Sequence, residues 1–435
     1  MNKQLSSIVM LLLISTGLAD INIAKATALT PSGSSAQDQS TSTADIAKEQ
    51  KLEAFRNIDL YHRQIGELES DEGVYGGTLV EKLSSLGLAY QQAGQHEKAI
   101  DVFKRAIHLN RVNDGLYTTS QVPIVLYQIA SHVTLGQWKE VSDKHEYLYW
   151  LSSQNYGKND PRMIPTLNRL SKWHLQAYSM NFGRDRQAVT DHLITAHNYF
   201  SQSIDLLEQS EETQENQLQL IEELKGLTLT NYLFATFQRN IPIRSNTGRL
   251  MDPEAKNSDM EIDHYISRSF RSGKQALNRV IDIYTKSQDA PPWALARAKV
   301  KKADWLFIFN KKRAAFTLYQ EAYNMMTENE SSRPYLQALF GQPVALPNLD
   351  MLDSGQYAED ERGFYDNSAN YVLASFDVTP QGSAANIEII DSKPEDNFHA
   401  RSQVKRSLRI AKFRPRFVQG EPAFTEKMKL RVLSP

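Results

Sequence analysis

The chain has 435 residues, with 49 Lys plus Arg against 51 Asp plus Glu and a formal net charge of −2. That length allows two or three domains and a substantial core, and so even a charge balance gives the whole protein no nucleic-acid signature. The absence of cysteine excludes disulfides, thiol catalysis, Cys-ligated zinc and a lipidated Cys, without fixing the compartment.

Residues 1–28 read as an export signal. Lys3 gives a positive start, Leu5 to Ala19 an apolar core, and Ala24-Lys25-Ala26 and Ala26-Thr27-Ala28 offer small residues at cleavage spacing. The apolar core is shorter than the roughly 20 residues a membrane helix needs, so a removable signal is expected, with a retained anchor as the alternative. Residues 29–47, rich in Ser, Thr, Gln and Gly, are expected to be a disordered leader.

From Ile46 to about Glu328 the apolar period is helical. The informative stretch is Val80 to Asn113, with Leu83, Leu86, Gly87, Tyr90, Gly94, Ala99, Phe103 and Ala106. Gly87 and Ala99 would let two helices approach closely, while Tyr90, Phe103 and the leucines fill the space between them. These spacings resemble a tetratricopeptide repeat, a helix-turn-helix of about 34 residues. Leu126, Ile129, Ala130, Val133, Gly136 and Trp138 suggest a second unit, off register by one residue. Ala303, Leu306, Ala315, Tyr319 and Ala322 suggest another. Gln187 to Gln209, Gln217 to Phe237 and Ile262 to Lys286 read as longer amphipathic helices, separated by loops around Asn240 to Pro253 and Gln288 to Pro292. One repeat cannot bury its own face, so residues 48–328 are expected to stack as a helical-repeat domain. The first helices of such a stack line a concave groove, and here Glu81, Ser84, Leu88 and Gln91 are the candidates to face it. Repeats that clamp a peptide C-terminus use Lys and Asn at such positions. Ser84 and Leu88 depart from that pattern, so no carboxylate clamp is expected.

The search for chemistry yields no catalytic or metal constellation. His192 and His197 are five apart, not the four that shares a helix face, and Asp191 has no matching ligand. No phosphate loop, dinucleotide fingerprint or nucleophile elbow is present. Lys299, Lys301, Lys302, Lys311, Lys312 and Arg313 flank Trp305, Phe307 and Phe309, and Arg268, Arg271, Lys274 and Arg279 precede them. The aromatics read as interhelical core and the charges as surface. An enzyme, a cofactor, a small-molecule substrate and a nucleic-acid partner are therefore not expected.

Residues 329–370 are expected to link two domains, either as an open linker or by packing Leu339, Phe340, Val344, Leu346 and Leu349 back on the array. Residues 371–435 change period. Val372, Ala374, Phe376 and Val378 alternate with polar positions, Thr379-Pro380-Gln381-Gly382 supplies a turn, and Ala385, Ile387 and Ile389 form a return strand. Asp396 can cap a helix whose stripe is Phe398, Ala400, Val404, Leu408 and Ala411. Phe413-Arg414-Pro415-Arg416-Phe417 stops it. A last strand would turn Phe424, Met428, Leu430 and Val432 inward and Thr425, Lys427, Lys429 and Arg431 to water. From Asp396 to the end there are ten Lys or Arg against three Asp or Glu, a basic tail on an acidic body.

This β-β-α-β succession resembles the C-terminal domain of TonB-type energy transducers. Phe376, Gly382, Phe413, Pro415 and Gly420 match its pattern of a hydrophobic strand, a turn ending in Gly, an aromatic-Arg-x-Pro segment and a Gly-x-Pro turn. The resemblance implies that the last strand accepts an extended segment of an outer-membrane receptor by strand addition. Thr425, Lys427, Lys429 and Arg431 would form the accepting edge, favouring an acidic guest. Alternatively, these charges guard the edge against aggregation. The pattern departs from the family in lacking both a His in the N-terminal segment and a Pro- and Lys-rich spacer. The fold expected is thus mainly α, a tetratricopeptide-like array followed by a small α+β domain. The function expected is an exported periplasmic protein-binding protein associated with TonB-dependent transport, with an envelope scaffold without a transport role as the alternative. Membrane contact, by an inner-membrane anchor, is expected only if the N-terminal segment is retained.

Overall fold

The computed structural model describes residues 43–237, 253–287, 290–347 and 370–433. The expected export signal, most of the expected leader, the expected loops at 240–252 and 288–289, and residues 348–369 of the expected linker (Leu349 among them) lie outside these. The described residues fall in two compact units, one up to His174 and one from Leu175 onward.

The first unit is built from α1 (Thr43–Glu72), α2 (Leu79–Gln92), α3 (His96–Asp114), α4 (Gln121–Thr134) and α5 (Trp138–Tyr156), with the first part of α6 (Ile164–Ser179). α1 starts inside the stretch expected as leader, because Ala44, Ile46 and Ala47 already suit a helix. From α1 to α5 each helix packs on the next in the chain, as their short connections require.

The pair α2–α3 is the tetratricopeptide-like unit. Leu83, Leu86, Tyr90, Ala99, Phe103 and Ala106 are all buried between its helices. Gly87 is also buried, and a Cβ there would overlap the Phe103 ring, so the helix crossing depends on glycine. The repeat length differs from the expected one of about 34. α2 and α4 are both 14 residues and start at 79 and 121; α3 and α5 are both 19 residues and start at 96 and 138. The period is thus 42. Gly73, Gly94, Gly115, Gly136 and Gly157, at even intervals of 21 residues, all have positive φ just beyond or between the helices, a conformation costly for residues with a Cβ.

On this period Leu83 corresponds to Val125, Gly87 to Ile129, Tyr90 to His132, and Phe103 to His145. The buried face of α4 therefore carries Gln121, Val125, Gln128, Ile129 and His132, whereas Leu126, Ala130 and Val133, expected as signature residues, are only half-buried. His145 donates from Nδ1 to the Val141 carbonyl at 2.8 Å and stacks on Trp173 with ring centroids 5.2 Å apart.

The second unit contains α7 (Arg186–Glu208), α8 (Gln214–Ala235), α9 (Pro253–Lys286), α10 (Pro292–Ile308), α11 (Lys312–Glu328) and the short α12 (Arg333–Phe340). Asp185 caps α7 by accepting from the Ala188 amide, and Thr213 caps α8 by accepting from Asn216. The glycine-to-aromatic contact recurs, with Gly226 against Phe200 and Gly273 against Trp305. Trp305 and Phe307 are buried, as read from the sequence, and so are Ala303, Leu306, Ala315, Tyr319 and Ala322 in the α10–α11 pair.

The remaining elements of this unit are β1 (Val344–Leu346), β2 (Tyr371–Val378), β3 (Ala384–Lys393), α13 (Phe398–Ile410), β4 (Lys412–Arg414), β5 (Arg416–Val418), β6 (Glu421–Ala423) and β7 (Thr425–Leu433). The main sheet is antiparallel in the order β3-β2-β7, and α13 covers one face. Val372, Ala374, Phe376 and Val378 are buried against Ala400, Val404, Leu408 and Phe413, as the alternation predicts. Several expected placements are corrected. Asn397, not Asp396, caps α13, its Oδ1 accepting from the Ala400 amide at 3.0 Å. Phe398 is 73% exposed, because the stripe Ala400–Val404–Leu408 advances four residues at a time and leaves position 398 on the far side. On β3 Ala384 rather than Ala385 joins Ile387 and Ile389 on the core, since Asn386 at positive φ forms a bulge that resets the alternation. Met428 and Val432 of β7 pack inward, but Phe424, just before the strand, is 40% exposed and Leu430 is also exposed. The same device explains Phe424, for Lys427 has positive φ and the register shifts opposite Phe376 and Val378.

Two outcomes follow from this packing. Gly87→Ala would gain about 1 kcal/mol of helix propensity but force its methyl into the Phe103 ring, so a net loss of about 1–2 kcal/mol is expected in denaturant unfolding. Burial pushes His145 down to about 4 and His197 likewise. The unfolded chain therefore takes up protons that the folded chain refuses. Stability is full above about pH 6.5 and declines as pH falls toward 4, and His145→Gln should flatten that decline in a pH series of unfolding midpoints.

Candidate protein-interaction site

The groove candidates of α2 have different surroundings. Glu81 is exposed, Ser84 and Leu88 are half-buried, and the Ser84 hydroxyl donates to the Val80 carbonyl of its own helix. Gln91 is engaged between helices: its Nε2 donates to the Tyr127 carbonyl and to Ser131 Oγ, each at 2.7 Å. Among the described residues no group of three or more His, Asp or Glu is placed to hold a metal ion, and no helix is long and apolar enough to cross a membrane.

In the second unit, the segment 412–417 joins the sheet to the helices. The Lys412 ammonium donates to the Ile308 carbonyl at 2.5 Å and to Asn310 Oδ1 at 2.8 Å, where α10 ends. A cation there satisfies a terminal carbonyl and opposes the helix dipole. Burial, and then the neighbouring Lys312, hold that amine below its usual range. Phe413 turns the other way, packs on Phe376 with centroids 5.3 Å apart, and donates its amide to the Gly382 carbonyl at 2.9 Å. A Cβ at Gly382 would collide with the Phe413 carbonyl, and its φ of +73° is also glycine territory. Pro415 is buried, and Phe417 inserts among Tyr319, Tyr323 and Phe340 of the helical core. Gln419 and Gly420, both at positive φ, turn β5 into β6, and Gly420 lies against Gln320 and Tyr323. Leu339 and Phe340 are buried in the same cluster, and β1 pairs with β4.

Between the two phenylalanines lies Arg414. Its Nη1 donates to Asp304 Oδ1 at 3.2 Å and Oδ2 at 3.0 Å, and Tyr319 donates its hydroxyl to the same Oδ1 at 2.7 Å. The Arg414 and Asp304 side chains are only 2% and 5% exposed. Burial first, and then the Asp304 charge, push the Tyr319 hydroxyl well above its ordinary value, so it stays a donor. Sequence reasoning assigned α10 to core aromatics and surface charges and passed over Asp304. The available signal was a single acid on the buried face of an Ala- and aromatic-rich helix, with an unmatched Arg between two phenylalanines elsewhere.

At the sheet edge, β7 pairs with β2 on one side, and among the described residues no strand pairs with its other side. Lys427 and Lys429 are exposed. Thr425 is half-buried opposite Val378, and Arg431 lies 4.2 Å over the Tyr371 ring. The Lys427 amide donates to Asp377 Oδ1 at 2.9 Å and Asn386 Nδ2 to Asp377 Oδ2 at 2.7 Å, so one carboxylate holds the bulges of both outer strands. Those two donors keep the Asp377 carboxyl below the usual carboxylate range, the Lys427 amide contributing most. A cleft of about 450 Å³ runs beside the start of β7, between Gly341–Gln342 and residues Thr425 to Lys429.

No protein-family model matches the sequence, and no curated protein matches it. Among solved structures, the chain is similar to BtubC (BKLC) from P. vanneervenii, at 13% identity and a TM-score of 0.38, over 65% of this chain and 91% of that one. It is also similar to a variant of a kinesin light chain-type protein from Podosopora anserina, described as having nearly identical TPR-like repeats. There the identity is 10% and the TM-score 0.37, over 57% of this chain and 95% of that one.

Removing one partner of a buried pair strands the other charge, which typically costs about 3–5 kcal/mol. Asp304→Ala is expected to lose that much in denaturant unfolding. Asp304→Leu combined with Arg414→Met should recover most of it, as a double-mutant cycle would register.

Proposed function

We propose that the chain is a protein-binding protein that presents two kinds of surface, a helical-repeat stack and an open sheet edge. The observation that carries this reading is β7, a basic strand with one side unpaired among the described residues, beside a cleft, and built into a sheet anchored from behind. Main-chain groups on such an edge supply affinity to any extended segment, and Lys427 and Lys429 select for acidic ones. Joined with the resemblance of residues 371–435 to TonB-type C-terminal domains, the setting proposed is the periplasm, and the guest a segment of an outer-membrane receptor in TonB-dependent transport.

The second reading, an envelope scaffold with no transport role, draws on Arg414 and Asp304. A sheet buried onto helices through a desolvated ion pair is held in place, which suits assembly as well as it suits transport.

The readings separate by experiment. A photo-crosslinking residue at Lys429 in the full chain, expressed in cells, is expected to capture an outer-membrane receptor, with Lys427→Glu lowering the yield at least about tenfold. Capture of cell-wall material alone would favour the scaffold, and yields indifferent to the charge change would contradict strand addition at this edge. N-terminal sequencing of the fractionated protein is expected to start near Thr27 or Leu29. A membrane-bound chain retaining Met1 to Ala19 would contradict export as a free protein.

A further inference from the structure

The first unit carries a second candidate site that none of the foregoing uses. On its flank α3 and α5 frame a cavity of about 360 Å³, within the size range of small-ligand pockets. Lys104, His108 and Arg111 line it from α3, and Lys144 and Tyr147 from α5. The acid on its rim, Asp143, is already paired with Lys139 at 2.6 Å, and Lys104 meets Asp101 at 3.0 Å on the exposed side. Arg111 is held in orientation, since its Nε donates to Gln121 Oε1 at 3.2 Å and its guanidinium lies 5.2 Å over the Tyr147 ring. Gln121 is fixed in turn by the Tyr147 hydroxyl, which donates to the same oxygen at 2.6 Å.

Two observations point to a ligand. Gln128 of α4 lines the cavity, is fully buried, and has neither its amide nitrogen nor its amide oxygen hydrogen-bonded. A buried amide without any partner is rare in folded proteins and calls for an explanation. Independently, Lys144 is half-buried beside other cations. Burial, then Arg111 and then Lys104, lower its amine from the ordinary lysine value, and Asp143 offsets this only in part. An anion placed among these groups would relieve the repulsion.

We propose that this cavity binds a small oxyanion, a phosphate or a carboxylate group, between Lys104, Arg111 and Lys144, with the Gln128 amide donating from the floor. The planar, pre-oriented Arg111 suits either group, and Lys144 adds a mobile donor.

The test is isothermal titration of the full chain with inorganic phosphate and, separately, with citrate, at constant ionic strength in chloride. Saturable binding is expected. Lys144→Gln should weaken it at least about tenfold, and Lys98→Gln, an exposed position on α3 that does not line the cavity, should leave it unchanged. Arg111→Gln can disturb Gln121, so the exposed Lys104→Gln serves as the second variant, with an expected weakening of severalfold and an unaltered circular dichroism spectrum. Saturation by phosphate alone identifies a phosphate-bearing ligand, and saturation by citrate identifies a carboxylate one; both uphold the site. No saturation with either anion, or equal affinity in wild type and Lys144→Gln, would overturn it.

Discussion

The second unit depends on one carboxylate. Asp304 sits about one turn before the end of α10 and is out of water, accepting from both Arg414 and Tyr319. Removing a charge from water costs several kcal/mol unless it is matched at close range, so the chain can bury Asp304 only when Arg414 arrives from more than a hundred residues away. The ion pair is better viewed as a register device than as a source of net stability. Hydrophobic residues in its place could pack as well, but they would not require one strand position to lie at one helix position.

Around that fixed point the neighbours alternate in direction. Lys412 and Arg414 point to the helices and Phe413 to the sheet core, as expected of a short extended run in which successive side chains face opposite sides, and Phe417, beyond Pro415 on the separate strand β5, also enters the helical core. Gly382 completes the seam, since its backbone comes so close to Phe413 that a side chain cannot fit. The consequence for function is positional. α13 takes one face of the sheet and the 412–417 segment ties it to α10 and α11, which leaves the outer strands β3 and β7 each with one side unpaired among the described residues, and of the two it is β7 that carries Lys427 and Lys429.

Much of this was legible in the residues. Alternation at Val372–Val378 predicted a half-buried strand, and the Leu83-to-Ala106 spacing predicted a helix pair closed over Gly87 and Phe103, because both signals are local and periodic. The 42-residue period was harder to see, although glycines at 73, 94, 115, 136 and 157 marked it, because the second pair replaces Gly87, Tyr90 and Phe103 with Ile129, His132 and His145. Bulges at Asn386 and Lys427 were not legible either. They arise from a carboxylate, Asp377, that bonds across both neighbouring strands, so the local sequence alternates smoothly through a point where the backbone does not. The Asp304–Arg414 pair is the extreme case, a contact of high sequence separation that no window of sequence contains. The groove candidates divided for a similar reason, Gln91 being engaged by a helix that starts at Gln121.

The central claim is that β7 is hydrogen-bonded on one side only. Residue-resolved hydrogen exchange along Thr425 to Leu433 in the full chain tests it most directly. The account predicts alternation, with amides that face β2 protected and their neighbours exchanging rapidly. Uniform protection along the strand would mean that its outer side is already occupied, and would contradict the account.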